Sequence, residues 1–176
     1  AQIGNTILGA GGFSSRLMTR LRTEMGYAYS AASLWTTPQK YKGLIGVVTR
    51  TRPETAAPTL RLILDILQEV KSTPPAQDEV DTAVDQIANG FVFNFETAAQ
   101  IIARRMSYLA QDLPDDWLEK YLRGVQDVTP SAVQSVFRRH LRPEGMTILV
   151  VGDPARMDMA ALGALGPLTV LEPDNP

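Results

Sequence analysis

NTILGAGGFSSRLMTRLRTEMGYAYSAASLW, residues 5–35, contains the local signals on which the predicted fold depends most. Its first four residues include the β-branched Thr6 and Ile7, and they predict a strand. A glycine-rich bend follows at residues 9–12, and a helix begins after the bend. Gly26 predicts the end of that helix, because a left-handed residue is favoured at a helix C-terminus. Residues 27–35 then predict a second strand.

The helix between the bend and Gly26 carries the first candidate side chain. Either Ser14 or Ser15 is suited to cap this helix, since a serine hydroxyl accepts a hydrogen bond from a first-turn N–H group. Arg22 lies near the helix end, and Tyr29 lies on the strand that follows. We therefore expect the sharp turn to bring the guanidinium and the phenol together. The apolar residues Leu17, Met18, Leu21 and Met25 form one face of the helix.

The composition indicates a globular domain with no charge signature for nucleic acid. The chain has 176 residues, of which 44% are hydrophobic, and its formal net charge is −2. This size predicts one domain over residues 1–176. A net charge of −2 gives no electrostatic signature of a nucleic-acid-binding protein, and no apolar run approaches the ~18 residues of a membrane span. The absence of cysteine fits the bacterial cytoplasm and the periplasm equally, and these are the two expected compartments.

The remaining sequence predicts one more hairpin strand and a series of helices. Residues 41–51 are rich in β-branched residues and predict a strand. Helices are predicted to begin near residues 53, 77, 96, 115 and 130, each at a proline, acidic or Thr-Pro start signal. Residues 146–151 predict a short buried strand, and a last helix is predicted from residue 152. The fold class is therefore α+β, a mainly antiparallel sheet with helices packed on one face.

Three further expectations concern the middle helices and the N-terminus. The helix that starts near residue 96 is expected to bury its apolar residues Ile101, Ile102, Met106 and Leu109. The acidic residues Asp78, Glu79, Asp81 and Asp85 are interpreted as an ordinary solvated helix face. Because the chain starts within a predicted strand, it is expected to be a fragment that lacks an upstream strand.

Few residues of the sequence are suited to metal or phosphate chemistry. His140 is the single histidine, and its place at a helix end indicates a favourable contact with the helix dipole. With no cysteine and one histidine, no zinc motif is present. The bend at residues 9–12 lacks the lysine and spacing of a phosphate-binding loop, so a turn or a flap over an extended ligand is favoured. Arg22 and Tyr29 remain as the candidate pair.

Two motifs carry a resemblance to a known family. The first is Asn5-x-x-Leu8-Gly9-x-Gly11-x-Phe13-Ser14-Ser15-Arg16-Leu17, and the second is Leu21-Arg22-x-Glu24-x-Gly26-x-Ala28-Tyr29-Ser30. They resemble the C-terminal-type domain of the pitrilysin/insulysin family of zinc metallopeptidases, particularly its processing-peptidase-like bacterial members. Weaker similarities continue through the rest of the chain, to the run before Asp153.

The resemblance implies a division of labour between two domains of the same fold. One domain type carries an inverted zinc motif, His-x-x-Glu-His, and the other carries an arginine and a tyrosine that contact the peptide. This chain matches the second type at Arg22 and Tyr29, so zinc is expected on a partner domain or subunit. The resemblance also implies that the glycine-rich segment contacts substrate, through Gly9, Gly11, Gly12, Phe13 and Ser14. The implied function is the substrate-binding, transition-state-stabilising half of a zinc endopeptidase.

Several alternatives stay open at this point. Tyr27 is a second tyrosine that competes for the role of Tyr29, although Tyr29 fits the family spacing. The chain is alternatively a non-catalytic scaffold or assembly subunit of the same family, or a phosphate-binding module that uses the glycine bend. A homodimer also remains open, since a domain built to face a partner exposes an apolar surface without it.

Overall fold

The computed structural model describes residues 1–38, 42–92 and 95–171, which form a helix-rich α+β fold. The chain opens with α1 (Gln2–Asn5), which widens into a π-helix at Thr6–Ala10. A short 3₁₀ turn at Gly12–Ser14 leads to α2 (Arg16–Met18), which also widens into a π-helix, at Thr19–Glu24. Strands β1 (Ala28–Trp35) and β2 (Ile45–Thr51) follow.

The remaining described elements are helices. After a 3₁₀ turn at Pro53–Thr55 come α3 (Ala56–Ser72) and α4 (Gln77–Val92). Then come α5 (Ala98–Ala110), α6 (Trp117–Gln126) and α7 (Pro130–His140). Short turns at Pro143–Gly145 and Pro154–Arg156 precede α8 (Met159–Gly163). The predicted helices after β2 are therefore confirmed, with the last one shorter than expected.

Strands β1 and β2 pair as an antiparallel hairpin, with Ala31 opposite Thr49 and Trp35 opposite Ile45. One face of this sheet is covered by the N-terminal helices, and Ala28 and Ala31 are buried against them. The predicted arrangement of helices on one face of an antiparallel sheet is confirmed. Residue 41, which the prediction placed in β2, lies outside the described residues.

The core joins the N-terminal segment to α3, α4 and α7. Leu17 and Leu21 are fully buried on the predicted face of α2 and its π-helical extension. Phe137 of α7 is 1% exposed, and a Cβ atom at Gly4 would lie 3.2 Å from its ring. The Ser33 hydroxyl of β1 donates to the Asn5 side-chain oxygen at 2.7 Å, which ties the first helix to the sheet. The segment that carries Arg22 and Tyr29 is therefore anchored on both sides.

Three predictions about this fold are wrong. Residues 5–8 are helical, because Ile3, Ile7 and Leu8 fall at helical spacing and fill the core. No strand forms at residues 146–151, and residues 147–151 are exposed. The four apolar residues of α5 do share a face, but that face is open: Ile101, Ile102, Met106 and Leu109 are 48–64% exposed.

Candidate functional site

Arg22 and Tyr29 lie on either side of a turn whose geometry the sequence dictates. Gly26 has φ +62°, the left-handed conformation that was predicted at this helix end. Its N–H donates to the Arg22 carbonyl at 3.2 Å, and the Tyr27 N–H donates to the Leu21 carbonyl at 2.8 Å. These bonds close the π-helical end, so β1 starts directly beside the helix that carries Arg22.

A β-bulge presents Tyr29 to solvent. Ala28 pairs with Thr51 and Ser30 pairs with Arg50, so Tyr29 is the extra residue between two successive pairs. Such a bulge changes the direction of a side chain, and bulges are frequent beside active sites. The Tyr29 ring is 81% exposed, whereas Ala28 and Ala31 point into the core. The bulge therefore places a phenol on the open surface.

The Arg22 guanidinium lies over two aromatic rings. Its central carbon is 4.6 Å from the centre of the Phe13 ring and 5.2 Å from the centre of the Tyr29 ring. Both distances are within the range of cation–π attraction. The Phe13 ring is 73% exposed, so both aromatic rings beside Arg22 are open to solvent. The expected proximity of Arg22 and Tyr29 is present, and Phe13 joins them.

The charge of Arg22 is not neutralised within the described ranges. No carboxylate of residues 1–38, 42–92 or 95–171 lies within 4.0 Å of its guanidinium nitrogens. The two neighbouring arginines differ, since Arg16 pairs with Glu79 and Arg20 pairs with Glu69. Among the described residues, Arg22 is therefore the arginine of this helix without a carboxylate partner, and its N–H donors are available for an incoming acceptor.

Tyr27 occupies a different position from Tyr29. It precedes β1, its side chain is half-buried, and its carbonyl accepts a hydrogen bond from the Thr51 hydroxyl at 2.7 Å. Thr51 also shares a hydroxyl contact of 2.7 Å with Thr55. This arrangement fixes the junction between β1, β2 and α3. Of the two tyrosines, Tyr29 is the one whose ring faces the Arg22 guanidinium.

The glycine-rich segment divides into a buried part and an exposed part. Gly9 is buried, and a Cβ atom there would lie 2.4 Å from the Ser33 backbone nitrogen, so the glycine allows the helix to approach β1. Gly11 is half-buried, with the Thr6 carbonyl 2.6 Å from a hypothetical Cβ. Gly12 has φ +67° and is open to solvent. Among the predicted substrate-binding residues, the exposed ones are thus Gly12, Phe13 and Ser14.

Ser14 ties the segment to α4. Its hydroxyl donates to the Gly11 carbonyl at 3.1 Å and accepts from the Gln86 side-chain amide at 3.1 Å. Ser15 occupies the position before α2, but its hydroxyl donates to the Gly12 carbonyl at 2.7 Å and makes no capping bond. The two serines therefore stabilise the bend rather than the helix start that the sequence predicted for them.

An ion pair that no sequence pattern predicts lies beneath the glycine-rich segment. Arg16 donates to both carboxylate oxygens of Glu79, at 2.7 and 2.8 Å, and Glu79 also accepts from the Ala76 N–H at 2.8 Å. The Arg16 hydrogen bonds lower the pKa of Glu79, and the same pairing raises the pKa of Arg16. Glu79 is therefore part of a clamp between α2 and α4. Sixty-three residues separate the partners, so no local pattern revealed it.

Two shallow depressions lie beside this clamp, and Arg22 and Tyr29 line neither of them. One has a volume of about 210 Å³ and is lined by Thr6, Asp78 and Gln86 among others. The other, of about 290 Å³, lies between Arg16 and Arg20. The Arg22–Tyr29 pair lies instead on open surface, where a second surface has access to it.

The described residues do not fit a metal ion. Within residues 1–38, 42–92 and 95–171, no group of three or more histidine, cysteine, aspartate or glutamate side chains is placed to hold one. His140 packs edge-on against the Trp35 ring, with the ring centres 6.2 Å apart. Across the described part of the chain, no helix has the length and apolarity needed to cross a membrane.

Comparison with protein families and curated proteins points to one group. Residues 1–87 match the family described as the peptidase M16 inactive domain. An uncharacterized zinc protease of Streptomyces coelicolor is 33% identical over 138 residues, which cover 76% of this chain and 29% of the relative. A non-peptidase homolog from Helicobacter pylori is 23% identical, covering 81% of this chain and 33% of the relative. The chain thus spans about a third of these relatives' length.

Solved structures agree with this grouping. The crystal structure of a peptidase M16 inactive domain from Pseudomonas fluorescens matches with a TM-score of 0.73 and 31% identity, over 81% of this chain and 34% of that chain. A protease from Helicobacter pylori matches with a TM-score of 0.69 over 80% of this chain and 33% of that chain. Its identity is 20%, so this second likeness concerns the fold alone.

Proposed function

The chain belongs to the family of peptidase M16 inactive domains, and from this premise we propose that it is the substrate-binding half of a zinc-dependent endopeptidase. In this proposal Arg22 and Tyr29 contact the peptide, and zinc is held by another domain or subunit of the same fold. The observation that carries the proposal is the Arg22 guanidinium, which has no carboxylate partner among the described residues and lies beside the exposed Tyr29 phenol. This chain alone is expected to be inactive.

Tyr29 is proposed to stabilise negative charge on the substrate. When a peptide bond is attacked, the carbonyl oxygen gains charge, and a preorganised hydrogen-bond donor lowers the energy of that state. A phenol O–H is such a donor. The bulge at Tyr29 holds the ring outside the strand pairing, so the hydroxyl is free to reach an oxygen on a facing surface.

Arg22 is proposed to hold the peptide and to keep Tyr29 in place. The guanidinium has five N–H donors in a planar fork, which suits carbonyl oxygens of an extended peptide. Stacking on Phe13 and Tyr29 restricts the arginine side chain before substrate arrives. Because fewer rotamers are then lost on binding, this ordering lowers the entropic cost of holding the peptide.

The exposed part of the glycine-rich segment is proposed to form one wall of the peptide site. Phe13 offers an apolar surface, and Gly12 and Ser14 offer backbone and hydroxyl groups beside it. Gly9 and Gly11 support this wall from inside, since their lack of a side chain allows the close packing described above. This assigns all five residues to the peptide site, three by contact and two by support.

Zinc is the cofactor that the family suggests, and it would polarise the scissile carbonyl and activate water when bound. The described residues of this chain do not fit it. The expected partner is therefore a domain or subunit that carries His-x-x-Glu-His. The open position of the Arg22–Tyr29 pair is consistent with a site that is closed by a second surface.

The test compares two arginine variants in the full-length protein together with its zinc-binding partner. Arg22→Ala is expected to lower kcat/KM for a pool of internally quenched peptides by about 10²-fold. Arg123→Ala is the control, because Arg123 is an exposed arginine of α6 that pairs with Glu119 at 3.8 Å. Bound zinc, measured by elemental analysis, should be unchanged in both variants. Equal activity of Arg22→Ala and wild type would refute the proposal.

A scaffold role is the second candidate, and one observation favours it. One relative, from Helicobacter pylori, is named a non-peptidase homolog. A scaffold protein of this fold would bind its partners without cleaving peptides. If the purified native assembly contains no zinc and cleaves none of the quenched peptides, the scaffold role replaces the peptidase role.

A further inference from the structure

The outward side of the β1–β2 hairpin is open to solvent and adjoins Tyr29. Successive residues of a strand point to opposite sides of a sheet, and in β1 Ala31 and Ser33 point inward and are buried. The residues that point outward are exposed on both strands. We name them the outward hairpin face, which consists of Ser30, Ala32, Leu34, Val48 and Arg50. The N-terminal helices cover the opposite side of the sheet, so a ligand has access to this face.

Strand pairing places Arg50 at the end of this face where Tyr29 lies. Ser30 is directly opposite Arg50, and Tyr29 is the extra residue just before Ser30. Directly opposite residues of an antiparallel pair have Cβ atoms about 5 Å apart. Tyr29, Ser30 and Arg50 are all exposed, so two consecutive residues of β1 and one of β2 share the outward side. The Thr49 hydroxyl donates to the Ser30 carbonyl at 2.9 Å, which holds the two strands together at this point.

Positive charge accumulates at this end of the face. Across residues 1–38, 42–92 and 95–171, no carboxylate oxygen lies within 4.0 Å of the guanidinium nitrogens of Arg22 or Arg50. Arg52 adds a third positive charge nearby, which Glu54 partly offsets. A surface of one sign of charge attracts ligand groups of the opposite sign. The end of the face beside Tyr29 is therefore suited to an anion.

The rest of the outward hairpin face is apolar. Leu34 and Val48 are 43% and 56% exposed, and Ala32 is opposite Val48. An extended peptide presents every second side chain to the same side. One such peptide can therefore lay apolar side chains on this part of the face while a carboxylate reaches Arg50. Charge at one end and apolar surface beyond it thus favour a peptide over a small anion.

We propose that Arg50 is a specificity-determining residue, which selects peptides with an aspartate or glutamate side chain at the subsite next to Tyr29. This inference rests on the proposed peptide site at Arg22 and Tyr29, and it names the class of substrate. A guanidinium binds a carboxylate through two parallel N–H···O hydrogen bonds, whereas a glutamine side chain offers one acceptor oxygen and no charge. A lysine side chain at the same subsite is repelled by Arg50.

The test is peptide binding by the full-length protein together with its zinc-binding partner. Binding is measured by fluorescence anisotropy after zinc has been removed with a chelator, so that the peptides are not consumed. The probes are short, labelled, C-terminally amidated peptides of one apolar-rich host sequence, in which glutamate, glutamine or lysine occupies each position in turn. Amidation leaves the side chain as the only carboxylate that varies.

Wild type is expected to distinguish these peptides by charge. At one position the glutamate peptide should bind about 5-fold more tightly than the glutamine peptide, and the lysine peptide should bind more weakly than both. This preference should shrink as salt is added, because salt screens the attraction between exposed charges. Equal binding of the glutamate and glutamine peptides at every position would overturn the inference.

Reversal of the charge at residue 50 is the decisive comparison. Arg50→Glu should reverse the order, so that the lysine peptide binds most tightly. Arg61→Glu is the matched control and should keep the wild-type order, because Arg61 is an exposed arginine of α3 that lies outside the outward hairpin face. If Arg50→Glu fails to fold, Arg50→Gln should bind the glutamate and glutamine peptides equally. A charge preference that the folded residue-50 variant retains would overturn the inference.

Cleavage of the same peptides with zinc restored separates this inference from the proposed function. Cleavage with the same kcat/KM for the glutamate, glutamine and lysine peptides would overturn the role of Arg50 alone. A preference in binding that depends on Arg50, without cleavage of any peptide, would support the role of Arg50 and overturn the peptidase role. Absence of binding by every peptide would overturn both.

Discussion

The guanidinium carbon of Arg22 lies 5.2 Å from the centre of the Tyr29 ring, across a turn closed by a left-handed glycine. The π-helix end brings the arginine to the turn, and the β-bulge frees the tyrosine from strand pairing. Wide helical turns and bulges are both frequent at functional sites. Two local irregularities thus combine to expose one cation and one phenol side by side.

Phe13 is predicted to orient Arg22 rather than to act on the substrate chemically. In the full-length enzyme, Phe13→Ala should lower kcat/KM by about 2- to 5-fold, since a cation–π contact at an exposed site contributes about 0.5–1 kcal/mol. Met25→Ala, which removes another exposed apolar side chain of this region, should have no such effect. A loss as large as that of Arg22→Ala would show that Phe13 has a different role.

The ion pair between Arg16 and Glu79 is predicted to make stability depend on acid. The lowered pKa of Glu79 means that its stabilisation is complete at pH values above the ordinary carboxyl pKa of 4.5. That stabilisation is lost as the pH falls below 4.5 and through the lowered pKa. The difference in unfolding free energy between wild type and Glu79→Gln should therefore shrink over this pH range.

Chemical denaturation of the full-length protein at a series of pH values measures this difference. Glu119→Gln is the matched control. The Glu119 carboxylate lies 3.8 Å from the Arg123 guanidinium, and both side chains are exposed, so this ion pair is weak. The stability difference for this control should be small at every pH. A difference for Glu79→Gln that stays constant between pH 7 and the acid range would contradict the prediction.

Gly9 and Gly124 are predicted to respond in opposite directions to alanine. At Gly9 a Cβ atom would lie 2.4 Å from the Ser33 backbone nitrogen and 2.8 Å from a Leu17 methyl carbon, so Gly9→Ala should destabilise by about 1–3 kcal/mol. At Gly124, within α6, a Cβ atom meets nothing within 4 Å, so Gly124→Ala should stabilise by about 1 kcal/mol. Denaturant unfolding of both variants checks this. Equal stability of Gly9→Ala and wild type would mean that the N-terminal helix does not pack closely on β1.

The sequence could predict the parts of the site that depend on local signals. The sequence predicts Gly26 as a left-handed residue at the helix end, and the turn at Gly26 predicts that the Arg22 and Tyr29 side chains lie close together. The bulge at Tyr29 carries no local signal, because it depends on how β2 pairs with β1. For the same reason the contact between Arg16 and Glu79 could not be read from the sequence.

The three incorrect fold predictions share a physical cause: each depends on residues outside the short stretch from which the prediction was made. Two of the first four residues of the opening stretch, Thr6 and Ile7, are β-branched, but including Ile3 reveals the spacing of a helix. In α5 the periodicity identified a common face for Ile101 and Met106 correctly, but periodicity does not say what covers that face. At residues 146–151, strand propensity requires a neighbouring strand, and the described residues supply none.

Removal of one hydroxyl tests whether the Tyr29 phenol stabilises the negative charge that develops on the substrate. Tyr29→Phe and Tyr27→Phe each delete a single phenol oxygen, in the full-length enzyme with its zinc-binding partner and with bound zinc verified. We predict that Tyr29→Phe lowers kcat for quenched peptides by about 10²-fold, because the donor to the developing oxyanion is lost, while Tyr27→Phe stays close to wild type. Full activity of Tyr29→Phe, or an equal loss in both variants, would contradict it.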